Sequence, residues 1–221
     1  MKKFLSLLIF MCSFNALASK QLKVAVIDTG LSLDYMKSTP LCRGEHRDLT
    51  GEGFNDVHGH GTNVTGLIVN NAKSQNYCIV LIKAYAFKEQ HGKAHLTEAL
   101  EYAYQIKANI INLSGGGLNP IESERKIIQK ILDAKITLVT AAGNDRLNLD
   151  IDCRYYPACY DNRIYVIGST GGYSNYGKYV DTIYDGNNKT AFGQTLSGTS
   201  QSTAIFTGKL LKNIDLLQKR K

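Results

Sequence analysis

Apolar, β-rich runs recur along the chain at Leu22–Asp28, Ile79–Tyr85, Ile110–Leu113, Thr137–Ala142 and Tyr165–Gly168. Continuous apolar runs of this length, without strict alternation, predict strands covered on both faces, as in a parallel sheet. Helical patterns separate several of them. Leu96, Leu100, Ala103 and Tyr104 fall on one side of the segment from Thr97 to Lys107 and its lead-in, and Ile127, Ile128, Ile131 and Leu132 form a stripe within Ser123 to Lys135. Both stripes are read as core faces and given no chemistry. Strands that alternate with helices cross over right-handedly, which predicts an α/β fold, a doubly wound, mostly parallel sheet with helices on both faces. Such a sheet gathers its functional groups at the C-terminal ends of its strands. Asp28 ends the first run, Ser114 follows the third and Asn144 follows the fourth, so all three are expected there.

The N-terminus departs from this pattern. Lys2-Lys3, an apolar run from Phe4 to Phe14 and then Ala16-Leu17-Ala18 make up the charged, apolar and small-residue parts of a secretory signal. Residues 1–18 are expected to be removed on export, leaving a single domain over 19–221 in the periplasm or the exterior medium. The apolar run is too short to cross a bilayer, for which about 20 apolar residues are needed, so no membrane span is expected. Cys12 follows the bulky Phe10-Met11 and is read as a passive member of the run. The net charge is +7, but the basic residues are scattered and densest in the terminal Lys219-Arg220-Lys221, so a solvated surface explains them better than nucleic-acid binding. Past the signal stand Cys42, Cys78, Cys153 and Cys159. An even number in an exported chain favours disulfides, and four cysteines allow three pairings. The short loop from Cys153 to Cys159 looks bridgeable, which would pair Cys42 with Cys78; four buried free thiols are the alternative.

Three separated motifs add chemistry: Val26-Ile27-Asp28-Thr29-Gly30, Gly59-His60-Gly61-Thr62 and Leu196-Ser197-Gly198-Thr199-Ser200-Gln201-Ser202-Thr203-Ala204. A serine hydroxyl is a weak nucleophile near neutral pH. It needs a base within hydrogen-bond reach, and the base needs a carboxylate to hold its tautomer. Ser200, His60 and Asp28 are the candidates for those roles. Asp28-Thr29-Gly30 alone would also suit an aspartic-protease loop, but that chemistry needs two copies and no second Asp-Thr-Gly or Asp-Ser-Gly occurs. His58-Gly59-His60 could start a zinc site, but no third ligand follows at zincin spacing.

The chain order Asp, His, Ser and the small residues beside each resemble the subtilisin-like serine protease family. The resemblance runs from Leu22 through Gly208. It takes in His46-Arg47-Asp48-Leu49, Phe54 and Asp56, Tyr156-Pro157-Ala158, and Ser174-Asn175-Tyr176-Gly177 with Asp181. It implies a secreted serine endopeptidase that forms an acyl-enzyme on Ser200, with a peptide or protein as substrate. His60 would open a buried helix, with His58 pointing elsewhere. Ala141-Ala142-Gly143-Asn144 would supply the amide that faces the developing oxyanion, joined by the backbone N–H of Ser200 at the start of a second helix. Asn112-Leu113-Ser114-Gly115-Gly116 resembles the family's substrate-binding edge, where an extended peptide pairs with exposed backbone. No Lys-Ser or Lys-Thr follows these glycines, so a phosphate cradle is a weak reading. The resemblance also places Asp145 at the rim and Tyr155 near the floor of the specificity pocket, implying a narrowed pocket with some liking for a basic residue. Members of the family often bind calcium, but no dense acidic ligand set stands out here, so no cofactor or metal ligand is assigned.

The sequence also departs from the family. Gln201 and Ser202 stand where Met and Ala are usual, Ala204 where Pro is usual, and Asn63 and Thr65 where His and Ala are more frequent. Only Ser19 to Gln21 separate the signal from the first strand, and only 21 residues follow Ser200, so neither an inhibitory pro-segment nor the usual C-terminal extension is expected. The runner-up readings are a catalytically inactive peptide-binding relative and an esterase using the same triad.

Overall fold

The computed structural model describes residues 21–72, 76–86 and 95–212. The expected signal and the Lys219-Arg220-Lys221 tail lie outside them. Seven parallel strands make the main sheet: β1 (Leu22–Asp28), β2 (Arg47–Asp48), β3 (Tyr77–Lys83), β4 (Ile110–Leu113), β5 (Thr137–Ala141), β6 (Tyr165–Ser169) and β7 (Thr182–Tyr184). Their spatial order is β2-β3-β1-β4-β5-β6-β7. The chain winds one way from β1 through β3 and then returns to the other side at β4. The strand order therefore reverses between β1 and β4, and the crevice outside their C-terminal ends is where a doubly wound sheet places its site.

Helices α1 (His60–Ala72) and α4 (Thr199–Lys212) cover one face, and α2 (Leu96–Gln105) and α3 (Glu122–Asp133) the other. Strand β1 shows why its sequence is apolar without alternation. Val24 and Val26 enter the core beneath α1 and α4, while Ala25 and Ile27 enter the core beneath α2 and α3. The Ile127, Ile128, Ile131 and Leu132 stripe is buried as expected, and so are Leu96, Leu100 and Ala103. Tyr104 differs: it is exposed, and Ala99 takes the fourth buried place on α2. Both helices stop two residues before the sequence pattern suggests. Lys107 and Lys135 adopt positive φ of 53° and 59° and close each helix in a Schellman turn. In these turns Ala108 N–H donates to Ala103 O and Ile136 N–H to Ile131 O.

Disulfides join Cys42 to Cys78 and Cys153 to Cys159. The first ties the loop before β2 to β3, and the second staples the loop between β5 and β6. An antiparallel hairpin, β8 (Lys189–Ala191) and β9 (Gln194–Leu196), precedes α4. Among the described residues no helix is long and apolar enough to cross a membrane.

Candidate active site

Asp28 is the last residue of β1 and His60 the first of α1, so strand and helix meet end to end. Gly61 makes the approach close enough: a Cβ there would collide with the Gly30 carbonyl and sit 3.1 Å from Asp28 Oδ1. His60 Nδ1 lies 2.7 Å from Asp28 Oδ1, which also accepts from Thr29 N–H at 2.8 Å. This contact fixes the tautomer with the proton on Nδ1 and leaves Nε2 with its lone pair. Burial disfavours the imidazolium, but the Asp28 charge and hydrogen bond, together with the Asp56 charge, outweigh it and raise the His60 pKa above 6.5. The other Asp28 oxygen, Oδ2, is buried without a hydrogen-bond partner.

A second carboxylate supports this corner. Asp56 Oδ1 accepts from Thr29 Oγ1 and Gly59 N–H, and Oδ2 accepts from Thr62 N–H and Thr62 Oγ1, at 2.7–2.9 Å. It caps the first turn of α1 and ties that turn to the end of β1. Burial works against the Asp56 charge, yet the bonds from Thr62, Gly59 and Thr29 hold its carboxyl below the ordinary aspartate value. In the sequence Asp56 reads only as part of a connecting segment. A carboxylate four residues before a helix-opening histidine was the available signal.

Ser200 is the second residue of α4, where the backbone N–H has no intrahelical acceptor. Its hydroxyl donates to Ser114 O at 2.9 Å, and Ser114 Oγ donates back to Ser200 O at 3.2 Å. The two serines thus clasp the end of β4 to the start of α4. No hydrogen bond joins Ser200 to His60 here, although the sequence reading expects one. Catalytic hydrogen bonds are often long or unformed without substrate. Asn144 follows β5. Its Oδ1 accepts from Thr199 N–H and Thr199 Oγ1, both at 3.0 Å, which leaves its Nδ2 donors for another acceptor.

Gly115 and Gly116 continue from Ser114 along an edge that opens to solvent at Gly116. Gly117 is already paired with Tyr156 through bonds of 2.8 and 2.7 Å. Tyr155 is half-buried between this edge and Gly143, and Asp145 is exposed nearby, with Oδ2 3.5 Å from Asn175 Nδ2. His58 is exposed, its ring edge-on to His60 at 6.1 Å between centroids. No cluster of three metal-ligating side chains occurs among the described residues.

An acid, an imidazole, a hydroxyl and an amide from four separate segments converge at one end of the sheet. A family model described as the subtilase family matches residues 19–218. The chain belongs to the subtilase family, and is a subtilisin-like serine endopeptidase. The intracellular serine protease of Paenibacillus polymyxa is 27% identical over 89% of this chain and 68% of its own length. The major intracellular serine protease of Bacillus subtilis (strain 168) is 26% identical over 86% and 67%. The extracellular serine proteinase of Thermus sp. (strain Rt41A) is 29% identical over 83% of this chain and 48% of its own length. This subtilase thus spans about two thirds of the first two relatives and about half of the third. A cold adapted subtilisin-like serine proteinase superposes with a TM-score of 0.70 at 21% identity, covering 90% of this chain and 76% of that one. A lanthipeptide protease superposes with a TM-score of 0.74 at 18% identity over the same shares. Both share the fold.

Proposed function

We propose that this subtilase cleaves peptide bonds through an acyl-enzyme on Ser200, with His60 as general base, Asp28 as its orienting carboxylate and Asn144 as oxyanion donor. The 2.7 Å contact from Asp28 to His60 Nδ1 is the observation that carries the reading. It presents a basic Nε2 and stabilises the imidazolium that forms when His60 takes a proton. In the proposed reaction the Ser200 hydroxyl leaves Ser114 O for Nε2 and attacks the scissile carbonyl carbon. The proton passes to His60 and then to the departing amine. Charge gathers on the carbonyl oxygen, where Asn144 Nδ2 and the Ser200 N–H donate to it. Ser114 O, released by the hydroxyl, accepts an N–H of an extended substrate along the Ser114–Gly116 edge. Water then releases the acyl group, with His60 as base again.

The same proposal includes export. The Lys2-Lys3, apolar and Ala16-Leu17-Ala18 pattern and two disulfides favour an oxidising compartment, while the relatives named above include both intracellular and extracellular proteases. Recovery of the chain outside the cytoplasm, beginning near Ser19, is the expected outcome of fractionation and N-terminal sequencing. The catalytic part is tested with the purified protein and Ser200→Ala on casein and on a simple ester. Casein hydrolysis lost in Ser200→Ala supports the endopeptidase. Ester turnover alone would make it an esterase, and binding of peptide without turnover would make it the inactive relative.

A further inference from the structure

The Ser114–Gly116 edge carries an aromatic ring on each side. A Cβ on Gly115 would lie 2.7 Å from the Tyr85 hydroxyl oxygen, and a Cβ on Gly116 would lie 2.7 and 2.9 Å from Cε1 and Cζ of Tyr155. The opposite edge of the Tyr155 ring meets the other wall: a Cβ on Gly143 would lie 2.7 Å from its Cε2 and 2.8 Å from its Cδ2. The ring therefore spans the cleft from the edge after β4 to the loop after β5. That cleft is where the side chain preceding the cut must go. Its carbonyl carbon has to reach Ser200 while the carbonyl oxygen faces Asn144, and successive side chains of an extended peptide point to opposite sides. The other side offers no escape, because Tyr85 closes on Gly115.

We infer that Tyr155 is a specificity-determining residue that limits cleavage to bonds following Gly, Ala or Ser. The inference rests on the Ser200 reading above. The ring holds its place against glycine on both walls, and Gly117, paired to Tyr156, anchors the segment that carries it. Burial, aided by Asp145, pushes the Tyr155 phenol up to about 12, so the ring stays neutral and its effect is one of size. Asp145 lies exposed at the rim, and a long basic side chain would have to displace the ring before it could be buried.

The test uses the full purified chain and tetrapeptide anilides that differ only in the residue before the anilide: Gly, Ala, Leu, Phe or Lys. The expected result is a kcat/KM for Ala at least about tenfold above those for Phe and Lys. Tyr155→Gly should raise Phe relative to Ala at least about tenfold, while Tyr155→Phe keeps the original ratio because the ring remains. Asp145→Asn, which alters no contact of the ring with Gly116 or Gly143, should leave the Ala to Lys ratio unchanged. The inference is overturned by a wild-type preference for Leu, Phe or Lys, by an unchanged ratio in Tyr155→Gly, or by a selective loss of Lys turnover in Asp145→Asn. Labelling by a serine-directed fluorophosphonate separates the two readings. An unlabelled chain removes the Ser200 reading and this one with it. A labelled chain that prefers large residues, or turns over none of the series, removes this one alone.

Discussion

In the proposed reaction His60 takes a proton only when neutral, and although burial opposes the imidazolium, the Asp28 charge and hydrogen bond and the Asp56 charge outweigh it and hold its pKa above the ordinary imidazole value. The acid limb of kcat/KM, which reports the free enzyme, is therefore expected at a pH above 6.5. Asp56→Asn removes one of the two charges and should move that limb to lower pH. A limb that stays put in Asp56→Asn would mean that the Asp56 charge does not reach the imidazole. Asp56 has its own pH window. Its carboxyl is held below its ordinary value, so the stability it contributes is present above about pH 4 and is lost only as pH falls through its depressed pKa. In the proposed reaction Asn144 faces the other side of the reacting carbon. Asn144→Ala should lower turnover about 100- to 1,000-fold with little change in KM, the scale measured for loss of such a donor in subtilisin. A fall in affinity with intact turnover would contradict the role. The contact of Asp28 with His60, and the placing of Asn144 and Ser200 at the same end of the sheet, were legible, because each sits in a short motif whose chemistry makes sense only beside the others; the roles given to them remain the proposal above. The bond from Ser200 to Ser114 O was not, because a χ1 rotamer is set by tertiary contacts that no motif encodes.

Between elements, the departures at Asn63 and Gln201 turn out to be one feature. Gln201 Nε2 donates to Asn63 Oδ1 at 3.0 Å, and Asn63 Nδ2 donates to the Lys189 and Gln194 carbonyls of the hairpin at 2.9 and 2.8 Å. Both side chains are fully buried. The pair locks α1, which carries His60, to α4, which carries Ser200. Gln201→Ala or Asn63→Ala strands a buried partner and should each cost about 1–3 kcal/mol, while the double variant should cost less than their sum. Urea unfolding of the four proteins decides, and strictly additive losses would show that the two amides act separately. Taken one at a time, these residues looked like losses of family character, since a sequence does not show that positions 63 and 201 touch. The short elements were hidden for a different reason. Strands β2, β7, β8 and β9 run for only two or three residues, too few for any periodicity to register. The ends of α2 and α3 overran because lysine, not glycine, takes the left-handed position at 107 and 135.

Across the whole molecule, the doubly wound sheet was the most legible level, since β1, β3, β4, β5 and β6 are apolar on both faces and helices separate the first four of them. The reversal between β1 and β4 then explains why residues as far apart as 28, 60, 114, 144 and 200 lie at the same end of the sheet. The two disulfides brace that sheet unequally. Cys42–Cys78 closes a separation of 36 residues and Cys153–Cys159 one of 6. Loop-closure entropy then assigns about 4 kcal/mol to the first and about 2 kcal/mol to the second. Replacing the first pair with serine should lower the denaturation midpoint more than replacing the second. The reverse order would mean that native packing around the 153–159 loop, and not chain entropy, dominates.

The convergence of Asp28, His60 and Ser200 is the claim on which the rest depends, and the rate and position of covalent labelling test it most directly. Intact mass followed by peptide mapping after a fluorophosphonate reaction should give a single adduct, on Ser200. Its rate should rise with pH through a pKa above 6.5 and be lost in His60→Ala. An adduct on another residue, or a folded wild-type chain that takes none at any pH, would contradict the account.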